Sequence, residues 1–336
     1  MTRRTIKTLA SICLAVVAAS STIARADIRV GWQTGVANVI LTYGIAKGKF
    51  EHEGAHVELK PFGAGPAMLP SLAGSEIDLG WMGEFPAVTG FISGLPIEIV
   101  AVQALLPTDV RLVANPSAGI ATPADLKGKK IGVAIGSTSH FHILVALKAA
   151  GLAQADVTLV NTAPANMLAA YQAGQVDAVF TWEPGSGEIE KLGGKRIATT
   201  ESLGIMTGLF GVARKAYVES NEKELVAFLR GWQACLDDYK RDPNDVLAPE
   251  AARLKMSVAD LAGLLARQNA IFPDLGAQLG KDALGSVEQP QESRLLAHVK
   301  GVGEFLVSIG RAKELPTNFA PLIERGPLAR AIKAGS

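Results

Sequence analysis

The sequence predicts an α/β protein of two units, joined by extended crossings and followed by a helical tail. Three observations carry this expectation. Short strand-like runs take turns with helix-like runs over the first two thirds of the chain, and glycines close several of the helix-like ones. From Asn221 onward the strand-like runs stop and amphipathic periodicity takes over.

In chain order, DIRVGWQT places Ile28, Val30 and Trp32 on one face of a strand, and a helix follows to about Glu53. The stretch HEGAH at 52–56 has the H-E-x-x-H spacing of a helical zinc site, which needs both imidazoles on one continuous helix. Gly54 instead sits where a left-handed helix cap belongs. HVELKPF then alternates Val57 and Leu59 with polar residues as a strand does, so the two histidines are expected on different elements and no metal is predicted. Next come a short helix in GPAMLPSLAGSE, a strand in IDLGWMG, a helix in EFPAVTGFISG, and strands in IEIVAVQAL and VRLVANP. The second unit repeats the pattern. KKIGVAIG is a strand, STSHFHILVALKAAG a helix ending at Gly151, VTLVNT a strand, PANMLAAYQAG a helix ending at Gly174, and VDAVFTW a strand. After GLFGVARKAYVES the tail carries the helices EKELVAFLRGWQACLDDYK, SVADLAGLLARQ and ESRLLAHVKGVGEFLVSIG. The alternation implies largely parallel sheets covered by helices.

Residues 1–26 read as a secretory signal peptide: a basic MTRRTIK, a short apolar core, and ARA at 24–26 as the cleavage site. TRRTIK faintly resembles a twin-arginine signal, but the ordinary secretory reading fits better. The mature chain is therefore expected in the periplasm or outside the cell. Cys13 leaves with the signal and Cys235 remains, so no intrachain disulfide is expected. Four of the 33 basic residues also leave, so 29 remain against 32 acidic ones, a net charge of −3. Such a surface does not suit nucleic acid.

Two α/β units with a tail are the layout of a two-lobed binding protein, whose ligand lies where strands end and helices begin. Four junctions stand out: GWQTGVAN, GWMGEFPA, AIGSTSHFHI and FTWEPGS. At the third, Ser137, Thr138 and Ser139 precede an apolar helix. They serve either as ordinary caps or, facing a cleft, as an anion site aided by the helix dipole, with His140 as a further donor. His142 cannot share that helix face. Glu84 and Glu183 follow strands, with Pro86 and Pro184 opening the helices behind them. Each glutamate either lines the cleft or simply complements a helix dipole. Catalysis and cofactors are not predicted: there is no G-x-S-x-G, P-loop or G-x-G-x-x-G, and GAGPAM lacks the lysine and the glycine spacing.

The runs STSHFHILVALKAAGL and VTLVNTAPANMLAAYQAGQVDAVFTWEP, with VGWQTG, LKGKKIGVAIGSTSH and VGEFLVSIGRAKELP, cover nearly all the mature chain. They resemble the periplasmic solute-binding proteins of taurine, aliphatic-sulfonate and nitrate ABC importers, most of all the taurine-binding branch. The resemblance implies a type II, Venus-flytrap fold with lobe 1 at 27–112 and 213–336, lobe 2 at 113–212, and a hinge near VRLVANP and GLFGVARK. It implies a monomer that binds one small solute without turnover and passes it to permease subunits at the membrane. Gln33, Thr34, Gly83, Glu84, Phe85, Ser137, Thr138, Ser139, His140, Trp182 and Glu183 match positions that line the cleft in the family. Glu84 and Glu183 replace small residues of the taurine pattern, and Leu209 and Phe210 stand where an acidic partner for the ligand amine is expected. Two carboxylates would repel a bare sulfonate. The expected solute is therefore an amino-sulfonate, taurine or an analogue, with its anion at 137–140, its ammonium near Glu84 or Glu183, and its apolar middle on Trp182 and Phe85. The alternatives are a small amine or pyrimidine precursor, or a cleft enzyme acting on a related solute.

Overall fold

The computed structural model describes residues 28–335, so the expected signal peptide lies outside the described residues. The strands are β1 (Ile28–Gln33), β2 (Val57–Phe62), β3 (Leu79–Met82), β4 (Ile97–Leu105), β5 (Arg111–Ala114), β6 (Lys130–Val133), β7 (Thr158–Asn161), β8 (Ala178–Thr181), β9 (Lys195–Thr199) and β10 (Gly208–Arg214). They form two five-stranded sheets, ordered β2-β1-β3-β10-β4 and β7-β6-β8-β5-β9. Each sheet is the centre of one lobe.

Parallel pairing holds where consecutive strands are joined through helices, as in β1 with β2 and β3 and in β6 with β7 and β8. It fails at the two strands that arrive from the other sheet. β10 runs antiparallel to β3 and β4, with Phe210 opposite Met82, and β5 runs antiparallel to β8 and β9. The expected lobe limits at 112/113 and 212/213 therefore cut through β5 and β10. Strand pairing puts all of β5 in the second sheet and all of β10 in the first, so the chain crosses between sheets over residues 106–110 and 200–207. β9, in GKRIATT, is a strand that the alternation did not reveal, because Lys195 and Arg196 are exposed at its start.

The zinc spacing dissolves as the local chemistry predicts. The helix Lys49–Glu53 ends on Gly54 at φ +101°, and β2 starts at Val57. The tail packs onto the first lobe through one face of the helix Glu222–Arg241. Leu225, Phe228, Leu229, Trp232, Cys235 and Leu236 recur every three or four residues along it and are buried. Phe228 stacks on Phe50 at 4.8 Å, and Trp232 lies 4.7 Å from Trp81 of β3. Burial pushes the Cys235 thiol up to about 12, so this cysteine is a core residue and not a thiolate at neutral pH.

Candidate functional site

Two helix N-termini, one from each lobe, meet at a small cavity between the sheets. In the first lobe β3 ends at Met82, Gly83 turns the chain, and the helix Glu84–Ile92 begins; Gly83 and Pro86 line the cavity. In the second lobe β6 leads through Gly136, at φ +82°, into the helix Thr138–Ala149, and Ser137 and Thr138 line the opposite wall. The two turns touch: a methyl group added at Gly83 would land on the Thr138 hydroxyl. The floor comes from the crossings, with Leu106, Asp109 and Val110 from one and Thr207 from the other, running on into Gly208 and Leu209 of β10. The cavity volume is about 40 Å³, room for roughly three water molecules at 10–15 Å³ each. A compact head group suits such a space.

Neither helix has a side-chain cap. Ser137 stands at the N-cap position, yet its Oγ donates to the Ala134 carbonyl at 2.7 Å and lies 2.9 Å from Ser139 Oγ. The first N–H groups of a helix have no partner within it. Those of residues 138–140 thus remain open to an external acceptor, beside a Thr138 hydroxyl that makes no hydrogen bond among the described residues. Each helix end acts as roughly half a positive charge. Among the described residues lining the cavity there is no Lys, Arg or His, and Asp109 alone carries a formal charge.

The expected site residues divide into three groups. Gln33, Gly83, Ser137, Thr138 and Trp182 line the cavity. Gln33 is held in place, its Nε2 donating to Trp81 O at 3.3 Å and its Oε1 accepting from Gly65 N at 3.1 Å. Thr34 lies outside, in an adjoining groove of about 260 Å³, and Trp182 separates that groove from the cavity. Glu84, Phe85, Ser139, His140 and Glu183 line neither space.

Each of these five has other neighbours. Phe85 stacks on Phe141 of the second lobe at 5.3 Å, forming part of the lobe contact. His140 Nδ1 accepts the Gly136 N–H at 3.2 Å, and burial, helped by Arg311, lowers its pKa to about 4. It is therefore neutral at physiological pH, with Nδ1 accepting and the proton left on Nε2, which has no hydrogen-bond partner among the described residues and lies off the cavity lining. Ser137 and His140 share no hydrogen bond among the described residues, so no nucleophile and base are paired here. Glu183 Oε1 takes hydrogen bonds from Arg111 Nη1 at 2.7 Å and Arg267 Nε at 3.1 Å. Glu84 is fully buried, with His142 Nε2 3.6 Å from its Oε1. Glu183 is thus paired with guanidinium groups away from the cavity lining, whereas Glu84 lies off the lining with no side-chain hydrogen bond among the described residues.

Asp109 escaped the sequence reading. It lies in LPTDV, between two strands and away from every strand-to-helix junction. The signal available was a carboxylate on a crossing, and crossings floor the cleft. Its Oδ1 accepts from Gln268 Nε2 at 2.6 Å and from the Glu183 N–H at 3.1 Å, while Oδ2 has no hydrogen-bond partner among the described residues. Burial raises its pKa to about 6 despite those two bonds.

The match to the NMT1/THI5-like family model runs over residues 37–246, most of the chain and both lobes. The chain belongs to this family. An Escherichia coli (strain K12) protein named for binding aliphatic sulfonates is 34% identical over 205 residues, 61% of this chain and 63% of that one. The taurine-binding periplasmic protein of the same strain is 29% identical over 197 residues, 58% of this chain and 61% of that one. The aligned part of this NMT1/THI5-like chain thus spans a little over three fifths of these relatives' length. The alkanesulfonate-binding protein of Xanthomonas axonopodis pv. citri, solved bound to MOPS, superposes with a TM-score of 0.73 at 25% identity over 89% of this chain and 98% of that one. The fold is that of periplasmic binding proteins. It is shared by a desulfurization enzyme, DSZB, at a TM-score of 0.63 and 16% identity over 93% of this chain and 100% of that one.

Proposed function

We propose that this protein is the periplasmic solute-binding component of an ABC importer, which captures a small organic sulfonate between its lobes and delivers it unchanged to the membrane permease. Within that class the solute is an amino-sulfonate, taurine or a close analogue. The observation that carries the reading is the pair of uncapped helix N-termini converging from opposite lobes on one cavity. Free N–H groups and two dipole ends offer a tetrahedral oxyanion group several donors without any full positive charge. An anion shared between lobes also gives closure a cause, because the closed form alone presents both helix ends to it. The names and folds of the relatives agree with this chemistry.

Transport rather than turnover is supported by the relatives, which are named for binding aliphatic sulfonates, taurine and alkanesulfonates. Native mass spectrometry of protein purified without added ligand tests the reading. The expected result is one sulfonate per chain, recovered with its mass unchanged after release. A bound amine or pyrimidine without an acid group, or a solute converted to product on incubation, would contradict it.

A further inference from the structure

Asp109 is more than nine-tenths buried, on the crossing that floors the cavity. Three parts of the molecule hold it still. Its own crossing carries it, Gln268 at the end of the tail helix Val258–Arg267 donates to Oδ1, and the Glu183 N–H just past β8 donates to the same oxygen. Oδ2 has no partner among the described residues, in a cavity whose lining holds no Lys, Arg or His. A buried carboxylate oxygen left open towards a solute site calls for a donor from the solute.

Resting on the sulfonate reading, we infer that Asp109 is the specificity-determining residue of the cleft: its Oδ2 accepts a hydrogen bond from the ammonium of an amino-sulfonate whose anionic end lies at the two helix N-termini. The charges then match in order. The helix ends together supply about one positive charge towards the sulfonate, and Asp109 supplies one negative charge towards the amine. A sulfonate without an amine would meet the carboxylate uncompensated. An amine without an acid group would leave the helix ends unpaired. Glu84 and Glu183, the two other buried carboxylates near the junctions, line neither the cavity nor the outer groove.

The test is calorimetric titration with 2-aminoethanesulfonate and with ethanesulfonate, which differ by the amine alone, against wild type and Asp109→Asn at pH 7.5. Wild type is expected to prefer the amino compound by at least about tenfold, the scale of one hydrogen bond to a charged group. In Asp109→Asn, which keeps the Oδ1 acceptor, the preference should collapse to near unity or invert. An unchanged preference in the variant, or a wild type that favours ethanesulfonate, overturns the inference while leaving the sulfonate reading intact. Binding of neither compound to wild type refutes the sulfonate reading itself.

A second arm needs no variant. Burial raises the Asp109 carboxyl to about 6, so at pH 5 it is mostly protonated and the wild-type preference should fall several-fold from its value at pH 7.5. The charged groups around it are Arg111 on its own crossing side, Glu183 past β8, and Arg267 on the tail helix, which are tied to one another by ion pairs. His140, held near 4, stays largely neutral across this range. Taking the ratio of the two ligands cancels effects common to both, and a ratio that does not move between pH 7.5 and pH 5 overturns the inference.

Discussion

Glu84 and Glu183 occupy matching places, one in each lobe. Each follows a strand, each has a proline just behind it, and each has a fully buried side chain. Their surroundings differ. Glu183 faces two guanidinium groups. Arg111 is itself fully buried, and Arg267 reaches in from the tail, so the carboxylate ties the second lobe to the C-terminal helices. Arg111 is further fixed by donating to the carbonyls of Thr108 and Arg267 at 3.0 Å each. Glu84 has no hydrogen bond among the described residues, and its charged neighbour is His142 of the opposite lobe at 3.6 Å, beyond hydrogen-bonding range. The contrast teaches that a carboxylate at a strand-to-helix junction is governed by whichever group the fold sets opposite it. Here neither junction carboxylate lines the cavity between the lobes, and the one that does comes from a crossing.

Breaking the stronger side of this pair should have the largest effect. Glu183→Gln leaves Arg111 charged, buried and with only the longer contact to Glu190 at 3.4 Å as a carboxylate partner, and removing one member of a buried pair costs about 3–5 kcal/mol. Urea unfolding of the ligand-free protein should show that loss. A change below 1 kcal/mol would mean that the network is not what joins the second lobe to the tail.

A smaller effect is expected where the lobes meet. Gly83→Ala sets a methyl against the Thr138 hydroxyl, and such overpacking costs about 1–3 kcal/mol. The loss should appear in solute affinity, measured by calorimetry, because it opposes the approach of the two lobes. Full affinity in this variant would show that the closed form does not bring Gly83 and Thr138 together.

The smallest effect belongs to the weaker glutamate. Glu84→Gln removes a long contact and no hydrogen bond, so stability should change by less than about 1 kcal/mol and solute affinity not at all. A marked loss of affinity would place Glu84 in ligand recognition and erase the contrast with Asp109.

Much of the architecture was legible because it rests on local rules. The alternation in DIRVGWQT and HVELKPF, the left-handed glycines at 54, 151 and 174, and the three- and four-residue spacing through EKELVAFLRGWQACLDDYK each specify an element without help from distant residues. Opposite strand directions at β5 and β10 were not legible, since direction within a sheet depends on the side from which a crossing enters. Likewise the hydroxyl turn could be found from Ser137 and Thr138 alone. Whether Ser137 caps its helix could not, because the answer lies in the Ala134 carbonyl that accepts its hydrogen bond. For His140, the backbone N–H that occupies Nδ1 and so leaves the proton on Nε2 likewise lies beyond sequence reasoning. Asp109 lay outside the search because sequence reasoning looked for chemistry where strands run into helices, while this carboxylate stands between two strands.

The central claim is that the uncapped turn at 137–138 binds an anion and is not merely a helix start. Thr138→Ala tests it most directly, with sulfonate affinity and thermal stability measured on the same preparation. Affinity is expected to fall by about 1–3 kcal/mol, as for loss of a hydrogen bond to a charged group, while stability is unchanged, because Thr138 makes no side-chain hydrogen bond among the described residues. Unchanged affinity together with a fall in stability would contradict it and reduce the junction to a structural cap.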